Sequence, residues 1–277
     1  MSWRETSTLL LLLLGAVTWV GAMPGCEAQF DPLPDDDSAG DDDTGDDDTG
    51  DDDTGDDDTT DALYASGPLV LEDGGVYTVY LIGSLSGTPP IGARQVEDQN
   101  WVVSGAQPAL RFVAAAASQG PTDWYVDGAI LDASMAGMLP GTVYPPQDQI
   151  GYFNPGEGGT YKVDVYPPDG VYGVDTPVAG DFIESYNPGT FYSVVLTGGP
   201  AARVLTRTVD DVSVPQPGNA RLRIFHSIEG LAVLDASVEL VTAGNVLSLW
   251  NDVSLADAGD PWEIPADTVV IRVFEAF

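Results

Sequence analysis

Short apolar runs, either alternating with polar residues or continuous, dominate the chain from Ala62 to Phe277. They are rich in Val, Ile, Tyr and Thr and are separated by clusters of Gly, Pro, Asn and Asp. This pattern predicts β-strands joined by turns, and no segment keeps a helical apolar period for three turns. The clearest predicted strands are Val76–Ile82, Leu110–Ala114, Asp123–Val126, Tyr161–Tyr166, Phe191–Thr197, Arg203–Val209, Arg221–His226 and Val269–Phe274. The predicted fold class is all-β, with Ig-like antiparallel β-sandwiches.

An internal repeat divides this region. Residues 76–83 (VYTVYLIG) align with residues 191–198 (FYSVVLTG) at an offset of 115. Further on, Leu110–Val113 aligns with Leu222–Phe225, and the segment from Arg94 to Asp98 aligns with the segment from Arg207 to Asp211. The period of roughly 110 residues is a common domain size.

The phase of the repeat predicts two sandwich units, one of them discontinuous. Residues 106–218 form one complete unit, whereas residues 62–105 and 219–277 are each part of a unit. Each part alone would expose unpaired strand edges and an uncovered apolar face. We therefore expect the two parts to assemble into a second sandwich, so that the ends of this region complete one another.

The N-terminus predicts a signal peptide over residues 1–25. A short polar start with the single Arg4 precedes the apolar run Leu9–Ala22, which includes six consecutive leucines. This run is shorter than the ~20 apolar residues that a transmembrane helix needs, so it is typical of a cleaved leader.

Cys26 is the only cysteine, and together with Gly25 it resembles the bacterial lipoprotein signal. In that signal the cysteine is diacylated and becomes the new N-terminus, although Met23 and Pro24 depart from the preferred residues. A lone cysteine favours this use, because an exported domain that relied on disulfides would carry an even number. The alternative is ordinary cleavage after Ala28, which would leave a soluble secreted protein.

Residues 26–61 predict a disordered acidic tether. Units of Asp-Asp-Asp-Thr-Gly recur between Asp35 and Asp61. Low hydrophobicity combined with high like charge keeps such a segment disordered and extended. The spacing does not fit an EF-hand loop, since Gly45 is the fifth residue counted from Asp41 and no glutamate lies between Asp35 and Asp61. Only weak association with divalent cations is expected.

The formal net charge is −35, and the acidic tether accounts for much of it. Of the 44 acidic residues, 17 lie between Asp31 and Asp61, and from Ala62 onward 25 acidic residues face eight basic ones. Binding to nucleic-acid phosphates depends on clustered Lys and Arg. The charge therefore argues against a nucleic-acid partner.

His226 is the only histidine, which limits acid-base and metal chemistry. A Ser-His-Asp triad needs a serine beside it, but Ser227 is the next residue on the same predicted strand and points to the opposite face. Zinc is not expected with one histidine and a cysteine that is lipidated or removed. We expect a hydrogen-bonded strand histidine, and we predict no catalytic residue, metal or cofactor.

Carboxylate pairs and tryptophans are the remaining candidates. A glycosidase needs two carboxylates about 5 to 9 Å apart, but close pairs arise by chance in so acidic a chain: Asp123 with Asp127, Asp210 with Asp211, and Asp257 with Asp260. Exposed aromatic side chains stack against sugars or anchor protein partners. The weak binding candidates are Trp101, Trp124, Trp250 and Trp262, and burial in a core is the simpler expectation for each.

A family resemblance rests on five segments, namely Leu110–Val113, Asp123–Gly128, Gly159–Val163, Phe191–Gly198 and Leu222–Ser227. They resemble the bacterial domain-of-unknown-function 4397 family, and the last resembles its arginine-then-histidine opening strand. The likeness covers most of residues 68–277. Ala114 stands where the other unit has His226, which puts a common role for the histidine in doubt. The family implies a β-rich extracytoplasmic module of surface proteins and implies no reaction.

Together these features predict a non-enzymatic cell-surface lipoprotein that displays β-sandwich modules for envelope structure, adhesion or binding. Its expected partners are the membrane, through the lipid anchor, and an extracellular protein or glycan. Glu27 favours the outer membrane, since the usual signal for inner-membrane retention is Asp after the cysteine. The alternative is a secreted carbohydrate-binding or carbohydrate-active protein that uses exposed Trp and Asp pairs. Exposed aromatics beside a groove with close carboxylates would favour that alternative.

Overall fold

In the part of the chain that the structure describes, runs of alternating or consecutive apolar residues with turn residues between them form sixteen β-strands and one short 3₁₀-helix. The computed structural model of the chain describes residues 61–98, 107–146 and 151–276. No α-helix occurs in these ranges, and the all-β prediction is confirmed. Cys26 and the predicted leader and tether lie outside the described residues, apart from Asp61.

The strands cover about half of the described residues. The first eight are β1 (Tyr64–Ala65), β2 (Leu69–Val70), β3 (Val76–Ser84), β4 (Gly92–Glu97), β5 (Ala109–Ala114), β6 (Asp123–Val126), β7 (Val143–Tyr144) and β8 (Gly159–Tyr166), with the 3₁₀-helix at Ala133–Met135. The others are β9 (Ala179–Tyr186), β10 (Phe191–Thr197), β11 (Val204–Asp210), β12 (Asn219–Glu229), β13 (Val233–Leu240), β14 (Asn245–Ser254), β15 (Trp262–Pro265) and β16 (Thr268–Glu275). All eight predicted strands are present, with ends shifted by at most three residues.

The strands form four sheets. Sheet 1 has the order β1-β16-β13-β14, and β2 also pairs with β16. Sheet 2 has the order β15-β12-β3-β4, sheet 3 has β11-β10-β5-β7, and sheet 4 has β6-β8-β9. Strands β5–β11 therefore supply sheets 3 and 4 and are called the continuous half below. Strands β1–β4 and β12–β16 supply sheets 1 and 2 and are called the split half.

Three hydrophobic clusters lie between the four sheets, which stack as layers. The first contains side chains of sheets 1 and 2, the second side chains of sheets 3 and 4, and the third side chains of sheets 2 and 3. Representative pairs across the layers are Leu222 with Ile271, Val194 with Trp124, and Phe225 with Val113. The layers thus follow the order of the sheet numbers, with sheets 1 and 4 outermost.

Sheets 2 and 3 are buried on both faces. Along β3, for example, Val79 and Leu81 belong to the cluster against sheet 1, whereas Tyr80 belongs to the cluster against sheet 3. A strand covered on both faces is nearly continuously apolar rather than alternating. This explains the sequences of β3 and β10, the two segments that define the repeat.

Strand direction corrects part of the predicted fold. Sheets 1 and 4 are antiparallel as expected, but β3 pairs in parallel with β12, and β5 pairs in parallel with β10. Parallel partners need a long connection, and here each pair joins strands far apart in sequence. The division into two Ig-like sandwich units, one at residues 106–218 and one discontinuous, stays a prediction.

A buried cluster of charges lies between sheets 2 and 3. Nη2 of Arg111 lies 2.6 Å from Oδ1 of Asp98 and 2.9 Å from Oδ2 of Asp210. Nη2 of Arg223 contacts Oδ1 of the same Asp210. The arginine of each half therefore pairs with the aspartate of the other half. All four side chains are buried.

Two hydroxyl groups complete this cluster in the same way on both sides. Nε of Arg223 donates to Oγ1 of Thr78 at 2.8 Å, and Thr78 in turn donates to Asp98 at 2.7 Å. Nε of Arg111 donates to Oγ of Ser193 at 3.0 Å, and Ser193 donates to Asp210 at 2.6 Å. The interface is isologous, like that of a two-fold dimer.

The strand register corrects one residue of the repeat alignment. Glu97 lies opposite Tyr77 in sheet 2, and Val209 lies opposite Tyr192, the repeat equivalent of Tyr77, in sheet 3. Asp98 is therefore equivalent to Asp210. The sequence alignment had wrongly paired Asp98 with Asp211. Asp211 is exposed instead.

Asp210 is the most connected residue of this interface. Burial alone would raise the pKa of its carboxyl group, but the guanidinium groups of Arg223 and Arg111 hold that pKa well below its ordinary value. Tyr152 also donates a hydrogen bond to it at 2.7 Å. Removing one partner of such a buried group leaves uncompensated charge, which costs more than the pair itself contributes.

We predict that Asp210→Asn lowers the free energy of unfolding by about 3 to 5 kcal/mol, because Arg111 and Arg223 stay buried without this counter-charge. The matched control is Asp211→Asn: the Asp211 side chain is 50% exposed, so its ion pair with Arg221 is worth less than about 1 kcal/mol. Urea unfolding followed by tryptophan fluorescence measures both. Equal losses for the two variants would contradict a special role for the buried cluster.

Candidate functional site

Two of the candidate tryptophans are buried in hydrophobic cores. Trp124 is fully buried between sheets 3 and 4, and its Nε1 donates to Oγ1 of Thr122 at 3.0 Å. Trp250 is 3% exposed between sheets 1 and 2, and its Nε1 donates to the carbonyl oxygen of Asp260 at 2.7 Å. Neither ring is available for stacking against a ligand, which removes both from the binding candidates.

The other two candidate tryptophans are not part of the described cores. Trp262 lies on the edge strand β15 and is 45% exposed, so its ring is accessible. Trp101 lies outside the described residues. Trp262 is therefore the one predicted binding residue that the described part of the chain keeps accessible.

His226 is buried on β12 and makes two hydrogen bonds. Its Nδ1 accepts from the backbone N–H of Ile228 at 3.2 Å, so Nε2 carries the proton and donates to the carbonyl oxygen of Leu231 at 3.0 Å. Burial lowers the pKa of His226 to about 4, against the smaller opposing effect of the bond to Leu231. Ser227 points to the other face, where its Oγ donates to the carbonyl oxygen of Ala115. His226 and Ser227 are thus not assembled for nucleophilic catalysis.

The carboxylate pairs are engaged in local structure. Asp123 accepts from the backbone N–H groups of Gly137 and Asp169, at 2.6 and 2.8 Å. Asp127 accepts from the backbone N–H of Lys162, and Asp257 accepts from that of its neighbour. Asp210 belongs to the buried cluster described above, while Asp211 accepts from the backbone N–H and the hydroxyl of Ser213. Five of the six carboxylates in these pairs are therefore hydrogen-bonded within the fold.

Three tyrosines form an aromatic patch on the outer face of sheet 4. Their ring centroids lie 5.2 Å apart for Tyr125 and Tyr166, 5.5 Å for Tyr125 and Tyr172, and 5.9 Å for Tyr166 and Tyr172. Tyr125 follows Trp124 on β6 and therefore points away from the core. We call these three residues the tyrosine patch.

Hydrogen bonds and close packing hold the rings of the patch. The hydroxyl of Tyr125 donates to the carbonyl oxygen of Gly170 at 2.9 Å, and the hydroxyl of Tyr166 accepts from the backbone N–H of Gly173 at 3.2 Å. Tyr172 packs directly over Gly128, where a Cβ atom would lie 2.9 Å from its Cε1. Tyr166 is buried, while Tyr125 and Tyr172 are half-buried and leave part of each ring exposed.

Charged groups border the tyrosine patch. Nζ of Lys162 lies 5.8 Å from the ring centroid of Tyr172, 2.8 Å from Oδ1 of Asp181 and 3.2 Å from Oδ2 of Asp164. Hydrogen bonds with Asp181 and Asp164 raise the pKa of Lys162, so it stays charged at neutral pH. Ile183, directly opposite Lys162 on β9, is 60% exposed. The tyrosine patch thus presents fixed aromatic faces, and an aliphatic side chain and charged, hydrogen-bonding side chains lie beside it.

Sequence reasoning missed this patch because it weighed only tryptophans. The alternation of β6 would have placed Tyr125 on the outer face once Trp124 was assigned to the core. Tyr172 comes from the loop between β8 and β9, and no local pattern predicts that this loop folds over the sheet.

The described residues contain no helix with the length and apolar character to cross a membrane. A scan of protein-family models and a search of curated proteins both found no match to this chain. The family resemblance noted in the sequence therefore stays a prediction.

We predict that His226 weakens the fold at mildly acidic pH. Its folded pKa of about 4 lies below the ordinary value of 6.5, so the unfolded chain takes up a proton first as the pH falls. The free energy of unfolding should drop by about 2 kcal/mol between pH 7 and pH 5 from this group alone. In His226→Gln, which keeps a donor for Leu231 and does not titrate, that drop should be absent. Parallel pH profiles for the two proteins would contradict the assignment.

Proposed function

We propose that this chain is an exported, lipid-anchored cell-surface protein without enzymatic activity, whose folded part serves in adhesion or binding. Cys26 is the proposed attachment point, residues 26–61 the proposed spacer, and Glu27 favours the outer membrane. Its resemblance to a bacterial family of surface modules supports this proposal.

The position of the tyrosine patch is the observation that carries the proposal. The described fold begins with β1 at the edge of sheet 1, where Tyr64 pairs with Val273 near the end of β16. The tyrosine patch lies on sheet 4, the outer layer at the opposite side of the four-sheet stack. A fold attached by its first strand would thus present the patch away from its attachment.

The use of the buried ionisable groups supports a non-enzymatic role. Arg111, Arg223, Asp98 and Asp210 neutralise one another inside the interface, and His226 is bonded to backbone groups. A catalytic acid or base must instead reach a substrate. The groups best shielded from water are occupied in holding the fold together.

Glycan binding is the second candidate function, and the tyrosine patch favours it. Tyr125 and Tyr172 present exposed ring area close to Lys162 and Asp181. Flat apolar ring faces beside hydrogen-bonding charges suit a sugar ring, which has apolar C–H faces and polar edges. This candidate uses tyrosines in place of the Trp and Asp pairs that the sequence pointed to.

We predict that the mature N-terminus is a lipidated Cys26. Mass spectrometry of the protein from membranes of the native host should find residues 1–25 removed and an acylated N-terminal cysteine. Cys26→Ser should abolish acylation and release the protein from the membrane fraction, because no other cysteine is present. An unmodified N-terminus at Gln29 would refute the lipid anchor.

We predict that glycan binding, where a glycan array detects it, depends on Tyr172. Tyr172→Ala should weaken the affinity for the best glycan by about tenfold, as expected for truncation of a central aromatic contact. The control is Trp262→Ala, because Trp262 is an exposed aromatic residue outside the patch. Loss of binding in the Trp262 variant alone would assign the site to β15 instead, and absence of any glycan ligand would reject this second function.

A further inference from the structure

A groove runs between the two halves of the fold at one end of the interface. Two adjoining cavities of about 720 and 300 Å³ share the lining residues Arg94, Pro140 and Gly141. The split half contributes Ile82 and the turn from Pro89 to Arg94, and the continuous half contributes Ala117 and the segment leading to Pro146. Ligand sites occur preferentially at such junctions, and the volumes are in their usual range.

The lining of this groove is mostly apolar and poor in hydrogen-bond donors. Four of its residues are prolines, which have no backbone N–H: Pro89, Pro90, Pro140 and Pro146. Leu139 is 54% exposed at its edge. A bound peptide would need partners for its own backbone groups, whereas a hydrocarbon chain needs none. The lining therefore favours a hydrocarbon chain over a peptide.

Arg94 is the one charged side chain that lines the two cavities. It lies on β4 opposite Tyr80 and is exposed. Six of the eight basic side chains in the described ranges make ion pairs with carboxylates, and the two that do not are Arg94 and Arg203. Arg203 donates to the carbonyl oxygen of Pro200, away from the groove.

We propose that this groove binds an amphiphile with a long aliphatic chain and a carboxylate head. The chain lies along the proline-lined wall, and the carboxylate accepts hydrogen bonds from the guanidinium group of Arg94. An arginine holds a carboxylate with two parallel hydrogen bonds. The rest of this acidic surface repels an anion, so Arg94 also determines where the head lies. This binding is independent of the lipid on Cys26 and of the tyrosine patch.

The test is calorimetric titration of the full-length chain with dodecanoate below its micelle concentration. The wild type should bind one molecule saturably, and Arg94→Gln should weaken the affinity by about tenfold or more. Arg203→Gln, the matched loss of an arginine without a carboxylate partner, should leave the affinity within about twofold. Unfolding curves verify that both variants stay folded.

Two further ligands separate charge from hydrophobicity. Dodecyl maltoside below its micelle concentration, with the same chain and an uncharged head, should bind more weakly than dodecanoate to the wild type, and Arg94→Gln should reduce this preference. Equal affinity of the wild type and Arg94→Gln for dodecanoate, or no saturable binding, would overturn the proposal. So would an acetylated aliphatic peptide with one carboxylate that binds through Arg94 where dodecanoate does not.

Discussion

The reciprocal ion pairs between sheets 2 and 3 are the constraint on which this fold depends. Arg111 of the continuous half reaches Asp98 of the split half, and Arg223 of the split half reaches Asp210 of the continuous half. Buried charges are tolerated only when they are paired and hydrogen-bonded. The two halves must therefore meet in this one register, because a shift would separate Arg111 from Asp98 and Arg223 from Asp210 inside a largely apolar interface.

This constraint also bears on the order of the two halves along the chain. In both sheets of the interface the two central strands pair in parallel. They are β12 and β3 in sheet 2, and β10 and β5 in sheet 3. The split half closes only when β3 finds β12, and the whole continuous half lies between these strands in sequence. Tyr80 of β3 and Phe225 of β12 pack in the same cluster as Val113 of sheet 3, so both ends of the folded region meet on a surface of the continuous half.

Sequence reasoning recovered eight of the sixteen strands in the described residues but not the arrangement of the strands. The apolar runs of β3 and β10 fit burial on both faces, and the repeat alignment placed Arg111 opposite Arg223, but neither observation was used to predict a buried interface. Strand direction was not predictable, because a short apolar strand carries no mark of its partner's direction. The tyrosine patch and the groove escaped for a related reason: Tyr172 and Arg94 acquire their neighbours through tertiary contacts alone. Trp124 and Trp250 lie in the core, as the simpler of the two sequence expectations had it.

Native-state hydrogen exchange of the Asp210→Asn variant tests most directly whether the buried cluster couples the two halves. Amides of β8 report on the continuous half, and amides of β16 report on the split half. If the reciprocal pairs hold the halves as one cooperative unit, protection in β8 and β16 should fall by the same free energy. Loss of protection confined to β8, with β16 unchanged, would show that the halves are stable independently and would contradict the central place given to the ion pairs.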